Sequence, residues 1–480
     1  MPHPIFFSLA PDKNIEMQEV FKFPPLFTND ATVLAVLLGL LAIIFVTASS
    51  SKSHYKAFYK YIPMLLLCYF LPSIFNSLGI IAPEWIDVDS LTSFLKDKGL
   101  IVPEGMSRKE WLAFLNTNSI GIDEVSQFKQ KSSLYFVASR YMLPASLVLL
   151  TLSIDLKAII NLGPKAIIMF LAGTVGIVIG GPLAILTISY INPDLVGGSG
   201  PDAVWRGLST VAGSWIGGGA NQTAMKEVFG ASDKLFSAMI TVDVIVANIW
   251  MAFLLYGAGK SKLIDKKLKA DSTAIDALKH KMEDFQKQNS KTPTLTDLMV
   301  IVGIGLGVTG FAHLVADIVA PWMQENAPHL SKFSLTSGFF WIIVVATTGG
   351  LALSFTKLRK YEGVGASRVG SAFLYVLVAT IGMKMDITAI FENLGLFFIG
   401  IVWMLIHVIV LLGVAKLIKA PFFFVAVGSQ ANVGGAASAP VVASAFHPAL
   451  APVGVLLAVL GYALGTYAAW FCTILMQMAS

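Results

Sequence analysis

Apolar runs of about 20 residues, each long enough for a helix to cross a bilayer, recur along the chain. They predict ten spans: Ala31–Ser49, Tyr61–Ile81, Ser133–Leu152, Lys165–Ser189, Lys234–Tyr256, Asp297–Ala320, Thr336–Leu353, Val369–Met383, Leu394–Leu417 and Ala449–Leu475. Two more apolar stretches have a different texture. Gly207–Gly230 contains GSWIGGGANQTA, and Pro421–Phe446 contains GSQANVGGAASAP. Both are dense in Gly, Ala, Ser, Asn and Gln, with weak helix formers, glycine above all, at their centres. Residues 1–30 are mixed and hold Pro2, Pro4, Pro11, Pro24 and Pro25. No signal peptide is expected there, because the first span is too long and too uniformly apolar for a cleaved segment.

Composition agrees with this pattern. Of 480 residues, 55% are hydrophobic and 13% charged, with a mean hydropathy of +0.73. Soluble domains carry about 25% charged residues, so this chain cannot cover a water-facing surface of its size. A large soluble enzyme, a disordered chain and a nucleic-acid binder are excluded. Cys68 and Cys472 lie in separate apolar runs and support neither a disulfide framework nor a metal cluster. The expected class is an all-α polytopic membrane protein, multi-pass in the inner (cytoplasmic) membrane, with the lipid bilayer as its first partner.

The net charge of +5 matters through its distribution, because short cytoplasmic loops are rich in Lys and Arg. Lys52, Lys56 and Lys60 stand without an acid between the first two spans, and 258–296 has nine lysines against five acids. Lys357, Arg359, Lys360 and Arg368 face Glu362 alone in 356–368. These three loops read as inside. The loop 82–132, with eight acids to six bases, reads as outside. If Gly207–Gly230 were a full crossing, 258–296 would fall outside. The conflict disappears when both Gly-rich stretches are re-entrant hairpins. A discontinuous crossing with one other helix miscounted is the alternative.

The two halves of the chain also resemble each other. Ile154-Asp155-Leu156-Lys157-Ala158-Ile159 corresponds to Met385-Asp386-Ile387-Thr388-Ala389-Ile390, and Gly213-Ser214 corresponds to Gly428-Ser429. The expected organisation is a non-membrane segment 1–30, a first repeat 31–257, a lysine-rich cytoplasmic linker 258–296 and a second repeat 297–480. Five spans and one hairpin per repeat make the second copy inverted, the design of secondary transporters.

Open backbone at membrane depth is tolerated only inside protein or along a cavity. Gly217, Gly218 and Gly219, and Gly434 and Gly435, permit tight reversals. Helix N-termini meeting there suit an anion. Ser214, Asn221, Gln222, Ser429, Gln430 and Asn432 supply neutral polar groups for a substrate. The bland reading is that small residues only pack helices, but it leaves the paired Asn and Gln unexplained. Intramembrane charges are costly and functional by default. Asp243, with Thr223 and Asn248, is the candidate set for a coupling ion; structural pairing of Asp243 with a cation such as Arg140 is the alternative. Asp155 and Asp386 read as helix-end caps, and His407 as a satisfied core histidine. No metal site and no cofactor are expected beyond Na⁺ or H⁺ as coupling ion.

Enzyme readings rank lower. Gly197-Gly198-Ser199-Gly200 spells GxSG, but Pro193 and Pro201 bracket it in a loop where turn chemistry accounts for the composition. No HExxH or P-loop motif occurs.

The stretch VGSQANVGGAASAPVVASAFHPALAPVGVLLAVLGYALGTYAAW, together with GSWIGGGANQTA, resembles the YjcL-like membrane proteins, domain of unknown function 819. That family is similar to the cation:proton antiporter and anion transporter superfamily, which includes sodium-coupled glutamate and citrate carriers. The resemblance implies inverted repeats, a mobile core and a dimerising scaffold, and hence a homodimer. It supplies no substrate, and the loop 82–132 is an elaboration on the compact carriers. The expected function is alternating-access transport of a small organic anion or amino acid, coupled to Na⁺ or H⁺. The alternative is a cation/proton antiporter without organic substrate; an intramembrane hydrolase ranks third.

Overall fold

The structure, a computed structural model, describes residues 20–62, 64–198, 200–270, 275, 292–385, 395–447 and 450–480. Backbone contacts divide the chain into two compact units, Met1–Val137 with Val378–Lys384, and Ala138–Leu377 with Met385–Ser480.

The first unit contains helices α1 (Asp30–Ala48), α2 (Ser53–Tyr61) and α3 (Met64–Ser77). Asn29 caps α1 by accepting from the N–H groups of Ala31 and Thr32, satisfying donors that a helix start leaves open. The expected span Tyr61–Ile81 is realised as the 14-residue α3, bent by 86° from the helix before it. The loop 82–132 is folded. Strand β1 (Glu84–Ile86) pairs antiparallel with β2 (Lys129–Lys131), and between them lie α4 (Val88–Asp97), α5 (Arg108–Thr117) and α6 (Ile122–Ser126). Their apolar faces close on Phe21, Ile86, Leu91, Leu95, Trp111 and Leu115. Ser107 and Glu110 form a reciprocal capping box at α5, and Phe21 stacks on Trp111 at 5.6 Å.

The remaining helices are α7 (Leu134–Leu152), α8 (Leu156–Ile160), α9 (Pro164–Ile191), α10 (Val204–Phe229), α11 (Asp233–Ala258), α12 (Ser261–Leu268), α13 (Leu295–Asn326), α14 (Gly338–Ser354), α15 (Ala366–Lys384), α16 (Gly395–Ile418), α17 (Phe422–Val433), α18 (Gly435–Phe446) and α19 (Ala451–Ala479). A π-helical turn at Ala138–Met142 interrupts α7. Among the described residues eight helices are long and apolar enough to cross a membrane: α1, α7, α9, α11, α13, α15, α16 and α19. With α3 and α14, each bent sharply against a neighbour, they match the ten expected spans in place. The protein is an all-α polytopic membrane protein, with one short two-stranded sheet among the described residues.

Small residues bring the helices of the second unit together. Gly173, Gly176 and Gly180 of α9 lie against His407 and Trp403 of α16; a Cβ on Gly180 would stand 2.6 Å from the Trp403 ring. Gly400 of α16 meets Val242 and Val246 of α11 in the same way.

Candidate functional site: two broken hairpins and a buried carboxylate

Both Gly-rich stretches fold back on themselves. In α10 the helical backbone breaks at Gly218, where φ is 73° and ψ is −175°. A Cβ on Gly213 would stand 2.5 Å from the Asn221 carbonyl oxygen, although eight residues of straight helix would span about 12 Å. At the open end the Arg206 guanidinium donates to the Phe229 carbonyl, and the Ser232 N–H to Pro201 O at 3.0 Å. The segment leaves where it entered. Arms α17 and α18 repeat this geometry, with the break at Gly434 and Gly435, the latter at φ +58°. A Cβ on Gly434 would overlap Gln430 and Ser438, and at the open end Phe446 meets the rings of Phe422 and Phe423. Both stretches therefore have the form of re-entrant hairpins.

Hairpin 1 surrounds Asp243 of α11. Ser214 Oγ donates to Oδ2 at 2.6 Å, Gln222 Nε2 to Oδ2 at 2.9 Å and Trp215 Nε1 to Oδ1 at 2.7 Å. All three groups are neutral donors, and all three belong to the hairpin. A carboxylate oxygen accepts, so each of the three donors has an oxygen to meet. Among the described residues no cation pairs with it. Arg140, the partner in the alternative reading, sits in the π-helical turn, pairs with Glu227 at 3.5 Å and lies over the Phe339 ring. Glu227 lies near the C-terminal end of α10, so Arg140 meets the open end of hairpin 1 and not its middle. Thr223 and Asn248 are not brought to Asp243 either. Each bonds a carbonyl one turn back in its own helix, Gly219 O at 3.0 Å and Val244 O at 2.7 Å.

Hairpin 2 has a corresponding serine. Ser429 Oγ lies 2.8 Å from His407 Nε2 and accepts from Trp250 Nε1 at 2.8 Å, while His407 Nδ1 lies 3.0 Å from Gly173 O. Gln430 Nε2 donates to Ser438 Oγ across the hairpin at 2.7 Å. Its Oε1 is buried with no partner among the described residues.

The two asparagines make the same clamp. Asn221 donates to Gly217 O and Tyr462 O, both at 3.0 Å, and accepts from Thr466 Oγ1 at 2.6 Å. Asn432 donates to Gly428 O at 3.0 Å and Phe170 O at 2.9 Å, and accepts from Thr174 Oγ1 at 2.8 Å. Each amide spends both donors on the protein. Gly465 and Gly173, where a Cβ would stand 2.7 and 2.8 Å from the amide nitrogens, leave them room. The receiving segments read Phe170-Leu-Ala-Gly173-Thr174 and Tyr462-Ala-Leu-Gly465-Thr466. This aromatic-x-x-Gly-Thr self-similarity is the signal that sequence reasoning missed; Trp215, Trp250 and His407 carried no comparable one.

Asp155 caps α8 through the Ala158 N–H at 2.9 Å and pairs with Arg359. Asp386 and Ser199 lie outside the described residues. The flanking Gly198 and Gly200 have φ of +99° and +55°, as tight turns require.

The family described as "Protein of unknown function (DUF819)" matches residues 114–479, which include both hairpins and their partner helices. The chain belongs to this family. It is 26% identical over 361 residues to "Uncharacterized membrane protein YjcL" of Bacillus subtilis (strain 168), covering 71% of this chain and 83% of that protein. This member of the family is a multi-pass integral membrane protein.

Proposed function

We propose that the protein is a secondary transporter working by alternating access, which moves a small organic anion or amino acid with H⁺ or Na⁺. The observation that carries this reading is the pair of broken hairpins, one of them closed around a buried carboxylate with no counter-cation among the described residues. Broken elements of this kind put helix N-termini and open carbonyls inside a membrane protein. The second arms begin at Gly219 and Gly435, so their first N–H groups lie at the breaks, where an anion is favoured. The unpartnered Gln430 Oε1 is a neutral oxygen of the kind Na⁺ takes. Asp243 is better suited to a proton, because its shell presents hydrogens where a metal ion needs lone pairs. Withdrawal of hairpin 1 strips all three donors from the carboxylate, and a proton then replaces them. The inverted relation of 31–257 and 297–480 belongs to this reading, and α1 and α13, the first helix of each repeat, are its scaffold candidates. Those two helices are the least enclosed of the eight, each 22% buried. Gly303 and Gly307 stand open on α13, a spacing that favours helix association in lipid, so α13 is the proposed homodimer contact.

A cation/proton antiporter that lacks an organic substrate is the second reading, favoured by the same Asp243 shell. Flux in proteoliposomes separates the two. Symport requires that proton or Na⁺ movement begin only when a carboxylate or amino acid is added; antiport requires Na⁺-driven proton movement with no solute present. Non-saturating flux with no coupling, a channel's behaviour, would falsify both.

A further inference from the structure

We infer that His407 is a second proton-binding site, whose occupancy is set by the seating of hairpin 2. The directions of its hydrogen bonds are forced. Gly173 O can only accept, so Nδ1 carries the hydrogen; a neutral ring then leaves Nε2 as an acceptor, and Ser429 O–H donates to it. Trp250 N–H in turn donates to Ser429 Oγ. In this direction the chain Trp250 → Ser429 → His407 → Gly173 O belongs to neutral imidazole and holds only while hairpin 2 is in place; an imidazolium there would force the Ser429 hydroxyl to turn away and accept from Nε2. It mirrors the first half of the molecule, where Ser214, the counterpart of Ser429, and a tryptophan N–H serve Asp243. The two groups also share a wall. Trp215, bonded to Asp243, packs on Trp403 at 5.1 Å, and Trp403 lies one helical turn before His407 on α16.

Of the titratable residues on the elements around His407, Lys165 and Tyr190 lie near the ends of α9, and α17 has none. On α11, Asp233, Lys234 and Tyr256 lie toward the helix ends, which leaves Asp243 as the buried one. When hairpin 2 withdraws, Nε2 loses its donor and is left bare, a loss that water or a proton must make good. A proton then binds Nε2, and the Ser429 hydroxyl turns to a carbonyl of its own helix, the alternative open to a helical serine. Reseating expels the proton. This inference rests on the reading of the hairpins as moving elements.

The test is ¹⁵N-histidine NMR of the full chain in lipid nanodiscs, with His407→Gln assigning the signal. Asn432→Ala releases hairpin 2 from α9 without removing a group bonded to His407, and Thr174→Val does so from the other side. The wild type should hold the neutral Nδ1–H tautomer near neutral pH. Either releasing variant should raise the imidazolium fraction at that pH several-fold. An unchanged signal in both variants overturns the inference, as does an imidazolium already present in the wild type. The measurement needs no solute and no gradient. A negative flux assay beside a positive shift would therefore refute transport and leave this linkage standing.

Discussion

At the scale of single residues, the shell of Asp243 makes a sharp demand. Asp243→Asn keeps the shape but replaces one acceptor by an N–H₂ donor; Trp215 can only donate and so holds Oδ1, and the Ser214 hydroxyl and the Gln222 amide must both turn to accept. Disturbing this buried shell costs about 1–3 kcal/mol, so the variant should insert with a lowered Tm and lose the proposed proton coupling in proteoliposomes. Retained coupling would remove Asp243 from the mechanism. Gly465 sets a second demand. Its Cβ would stand 2.5 Å from Gly217 Cα and 2.7 Å from Asn221 Nδ2. Gly465→Ala should destabilise by about 1–3 kcal/mol through overpacking, read as a Tm decrease in detergent, whereas Gly307→Ala on the open face of α13 should change little. The sequence revealed the polar residues of the hairpins but not their roles. Asn221 and Gln222 are neighbours of similar chemistry, yet one grips a distant helix and the other a carboxylate. Only the phase of the helix after Gly218 separates them.

At the scale of elements, the spans were legible because a bilayer demands long apolar runs, and the hairpins because loop charge forbade two extra crossings. The fold of 82–132 was not. Its strands are three residues each and some 40 residues apart in the chain, too short to carry a period. The Ser107–Glu110 capping box was visible in principle, as an S-x-x-E pattern. These small helices depend on ionised caps. Asp87 accepts from the Ser90 hydroxyl and N–H, Glu110 from the Ser107 N–H, and Glu124 from Lys98 and the Gly121 N–H. Each of these bonds holds its carboxyl below the usual carboxylate range. A carboxyl with a depressed value in the folded state contributes stability above its unfolded value and loses it as pH falls through the folded one. Hydrogen exchange in 84–131 should therefore accelerate as pH drops below the ordinary carboxylate range, about 4, after correction for intrinsic rates. Protection that stays constant down to pH 2 would refute the role of the caps.

At the scale of the whole molecule, the open glycines of α13 test the proposed homodimer. If it forms there, Gly303→Ile with Gly307→Ile should leave monomer where the wild type gives dimer in cross-linking and in single-molecule photobleaching, with spectra and Tm retained. A wild type that is monomeric, or a dimer that survives both substitutions, would refute the contact. The asparagine clamps bear on something different, the order in which the chain is made. Asn221 meets Thr466, 245 positions later, and Asn432 reaches back 258 positions to Thr174. Hairpin 1 is synthesised long before α19 exists, so its amide must wait in the membrane with its partner helix unbuilt. A ribosome adding about 5–20 residues each second imposes a delay of roughly 10–50 s on that group. Hairpin 1 should therefore be more open to protease in chains halted before α19 than in the finished protein.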